Sequence, residues 1–108
     1  MTPDPKPYFR LHVFICTNRR PDDNPRGSCA GRGSEPLREH LKDAARALGI
    51  KDVRINSAGC LDRCAAGPVM VIYPEGIWYG FRTKEDIDEI LQTHLVEGGR
   101  VRRLMLDQ

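Results

Sequence analysis

Four cysteines carry most of the chemical potential of this chain: Cys16, Cys29, Cys60 and Cys64, spaced Cys-x12-Cys-x30-Cys-x3-Cys. Four thiolates can hold either a 2Fe-2S cluster or a zinc ion. Zinc sites commonly draw on two close pairs, each from its own tight turn, and here only Cys60 and Cys64 are close. A two-iron cluster accepts ligands spread over a wider footprint, so the spacing leans toward the cluster and leaves zinc open. Two plainer readings stand beside these. Four unrelated buried cysteines would suit strand or helix interiors, whereas these fall in loops or at a strand end. Disulfides could join them in any of three ways. A Cys-x2-Cys pair is absent, which counts against a thiol oxidoreductase.

Little else in the chain suggests catalysis. No Ser/His/Asp arrangement, paired catalytic carboxylates or phosphate-binding glycine loop is evident, so no substrate turnover is expected. His12 falls on the second face of a strand and reads as structural; His40 and His94 fall on helices and read as facing solvent. Trp78 and Tyr79 read as core or dimer-interface residues rather than an electron relay. Arg19, Arg20, Arg26, Arg32 and Arg63 lie near the cysteines in sequence. Each alone reads as a solvated loop residue, and together they suit the steering of an acidic redox partner.

The cysteines need elements to gather them. Phe9–Ile15 reads as a strand with Phe9, Leu11, Val13 and Ile15 on one face, and Cys16 follows directly. Thr17 to Gly33 reads as a long loop, of a length that is usually functional or disordered. Ser34 suits a helix N-cap and Pro36 the first turn; Leu37, Leu41, Ala44, Ala45 and Leu48 share a helical face, and Gly49 supplies a stop. Val53–Asn56 reads as a second strand. Ser57 to Gly67, rich in small residues, holds Cys60 and Cys64. Val69–Tyr73, between Pro68 and Pro74, reads as a buried strand. Pro74-Glu75-Gly76 is a turn signal, and Ile77–Tyr79 returns as a hairpin partner. Thr83 and Asp86 form a capping box ahead of Ile87, Ile90, Leu91 and Leu95, with Gly98 and Gly99 ending that helix.

A βαβ half followed by a ββα half around one mixed sheet is an α/β, thioredoxin-like arrangement. Parallel neighbours end at the same sheet edge, so Cys16, Cys60 and Cys64 converge on one rim, the usual place for ligand sites in open α/β sheets. Cys29, in the loop leaving Cys16, can fold back over it. Backbone amides from Gly27 to Gly33 and from Gly59 to Gly67 are candidate donors to sulfur, and the same glycines also suit turns.

Composition bounds the rest. A length of 108 residues suits one domain spanning 1–108, with 1–7 and about 100–108 as tails. The hydrophobic share of 40% and charged share of 30% are ordinary for a globular chain. A net charge of +2 is too small to argue for nucleic acid. No apolar stretch approaches the ~20 residues that span a bilayer, and the start of the chain lacks a secretory pattern. The expected compartment is therefore the cytoplasm, where thiols stay reduced and structural disulfides are rare.

The segments Val13-Phe14-Ile15-Cys16-Thr17-Asn18, Gly27-Ser28-Cys29, Gly59-Cys60-Leu61-Asp62-Arg63-Cys64 and Gly67–Tyr79 resemble the thioredoxin-like 2Fe-2S ferredoxins, a bacterial family that includes the Shethna protein I type. The resemblance runs from about Tyr8 to Gly98. It implies a thioredoxin-like fold without the thioredoxin active-site pair, a homodimer, and one 2Fe-2S cluster on Cys16, Cys29, Cys60 and Cys64. The activity it implies is one-electron transport between partner proteins. Such a site carries formal charge −2 oxidised and −3 reduced, which takes the chain from +2 to 0 and −1. The readings set against it are a structural zinc module mediating protein interaction and a thiol-based redox protein.

Overall fold

A computed structural model describes residues 8–17, 33–59 and 68–107. Four strands form one sheet: β1 (Leu11–Cys16), β2 (Val53–Ala58), β3 (Val69–Tyr73) and β4 (Ile77–Gly80), in spatial order β2-β1-β3-β4. Strand β1 runs parallel to β2 and antiparallel to β3, and β3 and β4 form an antiparallel hairpin. Helix α1 (Ser34–Ala47) joins β1 to β2, and α2 (Lys84–Ile90) follows β4.

The sheet's register explains its core. Leu11, Val13 and Ile15 alternate along β1 and are buried. Val13 pairs with Ile72 and Ile15 with Met70, which pairs in turn with Tyr79. These residues pack with Leu37, Leu41 and Ala45 of α1 and with Ile87 and Ile90 of α2, so both helices cover the same face. Val69–Tyr73 is the strand its flanking prolines suggest, and its first four residues are buried.

Boundaries shift where local hydrogen bonds decide them. Pairing begins at Leu11 rather than Phe9, because the Arg10 and Leu11 amides both donate to the Asp52 carbonyl, at 2.7 and 3.3 Å. Cys16 consequently closes β1 instead of following it, and β2 runs on to Ala58 to match it. Gly33, not Ser34, is the N-cap of α1: it adopts the left-handed conformation (φ 90°, ψ 21°) that favours glycine. Ser34 lies inside the helix with its hydroxyl buried and without a hydrogen-bond partner among the described residues. At the other end Gly49 turns left-handed (φ 73°), and the Ile50 amide reaches back to the Ala45 carbonyl. The helix stops at Ala47, which leaves Leu48 58% exposed rather than on the packed face.

The capping box on α2 is present. The Thr83 hydroxyl accepts from the Asp86 amide at 3.1 Å, and the Asp86 carboxylate accepts from the Thr83 amide. The helix then widens into a π-helical stretch, Leu91–Val96. This stretch corrects one sequence expectation. His94 does not face solvent but is fully buried, in the apolar stripe beside Leu91 and Leu95. His40, expected to face solvent, is partly buried, with Nε2 2.7 Å from a carboxylate oxygen of Asp88 on α2.

Residues 100–107, expected from the sequence as a tail, pack on β4. Val101 is buried, Arg102–Leu104 form a 3-10 turn, and Met105 makes a β-bridge to Tyr79. No helix among the described residues is long and apolar enough to cross a membrane.

Candidate metal centre

The rim formed by the C-terminal ends of β1 and β2 is the candidate site. Cys16 and Ala58 are register partners there. The Thr17 amide and hydroxyl both donate to the Ala58 carbonyl, at 2.9 and 3.3 Å, which ties the two strand ends together. Cys16 carries a free thiol and is fully buried. Its side chain belongs to the face of the sheet opposite the helices, because Leu11, Val13 and Ile15 take the helix side. On that face Cys16 and Val69 form a small apolar cluster, with Trp78 and Leu106 packed against it.

Cys29, Cys60 and Cys64 lie outside the described residues, as do Arg19, Arg20, Arg26, Arg32 and Arg63. Among the described residues, no three of His, Cys, Asp and Glu come together as a metal site. Cys16 nonetheless satisfies what a cluster ligand requires. It is a soft sulfur donor, unbonded to another sulfur, held at a strand end in apolar surroundings. Gly59 leads from β2 directly into Cys60 in the sequence, and two residues of chain span at most about 7 Å.

The histidines stand apart from this rim in their bonding. His94 Nδ1 lies 2.7 Å from the Tyr79 hydroxyl, and Nε2 lies 2.8 Å from a Glu75 carboxylate oxygen. The Tyr79 hydroxyl accepts from the Val101 amide at 3.2 Å. The ionised Glu75 carboxylate can only accept, so Nε2 carries the proton of the neutral imidazole and donates it there, which leaves Nδ1 to accept from the Tyr79 hydroxyl. Arg100 closes the chain on the other Glu75 oxygen at 2.7 Å. Burial pushes His94 below the ordinary histidine range, outweighing the opposing pull of Glu75. Burial also pushes Glu75 upward, but His94 and Arg100 outweigh it and hold its carboxyl below the usual range. Sequence periodicity contained a signal for this burial, because His94 follows Ile87 by seven residues and Leu91 by three.

Trp78 and Tyr79 take opposite faces of β4. Tyr79 enters the main core, and Trp78 packs beside Cys16.

Comparison with known proteins adds the following. No family model matches the chain. It is 41% identical over 100 residues to a protein named "Ferredoxin, 2Fe-2S" from Aquifex aeolicus, covering 90% of this chain and 89% of that one. It is 34% identical over 96 residues to a protein of the same name from Clostridium pasteurianum, covering 88% and 94%. Among solved structures, a thioredoxin-like 2Fe-2S ferredoxin from Aquifex aeolicus superposes with a TM-score of 0.86 at 39% identity, covering 92% of both chains.

Proposed function

This chain belongs to the thioredoxin-like 2Fe-2S ferredoxins, and from that premise we propose that it is a one-electron carrier holding a single 2Fe-2S cluster on Cys16, Cys29, Cys60 and Cys64. When bound, such a cluster takes up and returns one electron, passing between formal charges of −2 and −3 with its four thiolates. The observation that carries the ligand reading is the free, buried thiol of Cys16 on the strand end that pairs with Ala58, two residues before Cys60. Val69, Trp78 and Leu106 keep that sulfur in apolar surroundings. Thr17 fixes the strand end by its two bonds to the Ala58 carbonyl. The arginines near the cysteines in sequence offset the site's negative charge and favour acidic redox partners. The protein exchanges electrons with partner proteins and is not an enzyme.

We further propose that residues 1–108 act as one domain, that the protein works in the cytoplasm, and that it forms a homodimer. Phe14, Val71 and Tyr73, on the sheet face that no described helix covers, support the last reading. The family does not favour a structural zinc module or a thiol-based redox protein. Anaerobic purification tests the central claim. Two irons and two acid-labile sulfides per chain, with a visible spectrum that bleaches on one-electron reduction, support it. A colourless protein with stoichiometric zinc overturns it.

A further inference from the structure

Strand β2 is an edge of the sheet, with β1 on its inner side. Its backbone alternates. The Asp52 carbonyl accepts from the Arg10 and Leu11 amides, and the Ala58 carbonyl accepts from the Thr17 amide. Even-numbered positions therefore bond β1, and the amides and carbonyls of Val53, Ile55 and Ser57 point outward. An outward row of this kind is a template for an added strand.

Alongside it runs an open groove of about 300 Å³ between the end of α1 and β2. Its floor is apolar: Phe9, Ala45, Ile50, Val53 and Ile55. Its charged residues are all cations: Lys42 and Arg46 on α1, Lys51 before β2, and Arg54 on β2. Among the described residues no ion pair neutralises any of the four. The nearby acid Asp52 is held by Arg10 at 2.9 Å, and Glu39 is held by Arg38.

We propose that this edge and groove form a docking surface for an extended acidic segment of a partner protein, which adds to β2 as a fifth strand. Side chains of an added strand alternate between the two faces of the sheet. Those on the helix side meet Lys42 and Arg46, and those on the other side meet Arg54, so acids on both faces find cations. A second copy of this chain is a poorer occupant, because pairing two β2 edges brings the cations Lys51 and Arg54 of one copy close to those of the other. The site does not depend on the cluster reading: it sits around the start of β2, whereas Cys16 lies level with the strand's end.

The test uses the full-length holoprotein and a fluorescent peptide alternating glutamate with valine and threonine, beside the same peptide with glutamine for glutamate. The glutamate peptide is expected to bind saturably at low salt, to weaken as salt rises, and to slow hydrogen exchange at the Val53 and Ile55 amides. The glutamine peptide is expected to bind about tenfold or more weakly. Arg46→Glu with Lys51→Glu lowers affinity by a similar factor. Val53→Pro removes one outward donor at the first strand position, where proline is tolerated, and also weakens binding while circular dichroism stays unchanged. Several outcomes overturn the proposal. One is no saturation at millimolar peptide, which leaves the cations as guards of a bare edge. Another is binding without protection of Val53 and Ile55, or binding indifferent to the charge reversals. A third is concentration-dependent protection of the same amides without peptide, which assigns the edge to a second copy.

Discussion

Replacing His94 with alanine removes a buried ring bonded on both sides. The Tyr79 hydroxyl loses the acceptor for its proton, and an unsatisfied buried donor costs about 1–3 kcal/mol. The vacated space adds a cavity cost of about 2 kcal/mol, at the low end for a large-to-small change in a core. Glu75 contributes little to the loss, because it is partly exposed and keeps Arg100. The expected total is about 3–5 kcal/mol, a large share of a typical stability of about 5–15 kcal/mol. The substitution also has a pH signature. The His94 pKa lies below its ordinary value of about 6.5 in the fold. As pH falls below that value the unfolded chain binds a proton that the folded chain does not, so stability drops. The slope approaches about 1.4 kcal/mol per pH unit until the lowered folded pKa is reached. Glu75 acts in the same direction at lower pH: its contribution is complete above its ordinary range and fades as pH falls through its depressed folded value. Native-state amide exchange of the oxidised holoprotein between about pH 5 and 7.5, above the range where Glu75 titrates, reads the loss of stability and the His94 slope without unfolding the cluster site. Wild type should lose protection as pH falls below about 6.5, in the lower part of that window, and His94→Ala should be less protected throughout with that slope removed. A variant within about 1 kcal/mol of wild type, or one that keeps the slope, refutes the bonding scheme.

Other consequences are simpler to measure. Cys16→Ala should abolish the visible spectrum and bound iron, while Cys16→Ser, whose oxygen can still ligate, should retain an altered spectrum; an unchanged spectrum in the alanine variant removes Cys16 from the ligand set. Thr83→Ala should cost about 1 kcal/mol by exchange at the first turn of α2, since it removes the hydroxyl that accepts from the Asp86 amide. Leu106→Ala opens the apolar cluster around Cys16 to water. Because the reduced site is the more negative, voltammetry should find its potential raised; a lowered potential contradicts the proposed environment.

The parts of the fold that sequence disclosed were those governed by local rules. Prolines on both sides bounded β3, Thr83 and Asp86 marked a helix start, and alternation along β1 named its buried face. The parts that escaped depend on partners remote in sequence. The end of β2 is fixed by pairing with Cys16, and Ser34 lost the cap because Gly33 could adopt the left-handed backbone. His94 sits in the apolar stripe by its spacing, but a histidine there reads as polar until Tyr79 and Glu75 are seen on either side. Residues 100–107 show little periodicity because a bridge and a short turn, not a full element, hold them to β4. Of the candidate metal centre, the rim and the place of Cys16 on it were legible from the strand order alone.

The bridge from Met105 to Tyr79 is joined by a bond from the Leu106 amide to the Trp78 carbonyl at 3.0 Å. Together they blunt the four-residue β4 on its outer side. Open-ended stacking into fibres requires every sheet to accept a neighbour on two sides. With one flank sealed by its own final residues, this sheet can accept a single guest strand, so any sheet-to-sheet association stops at a pair.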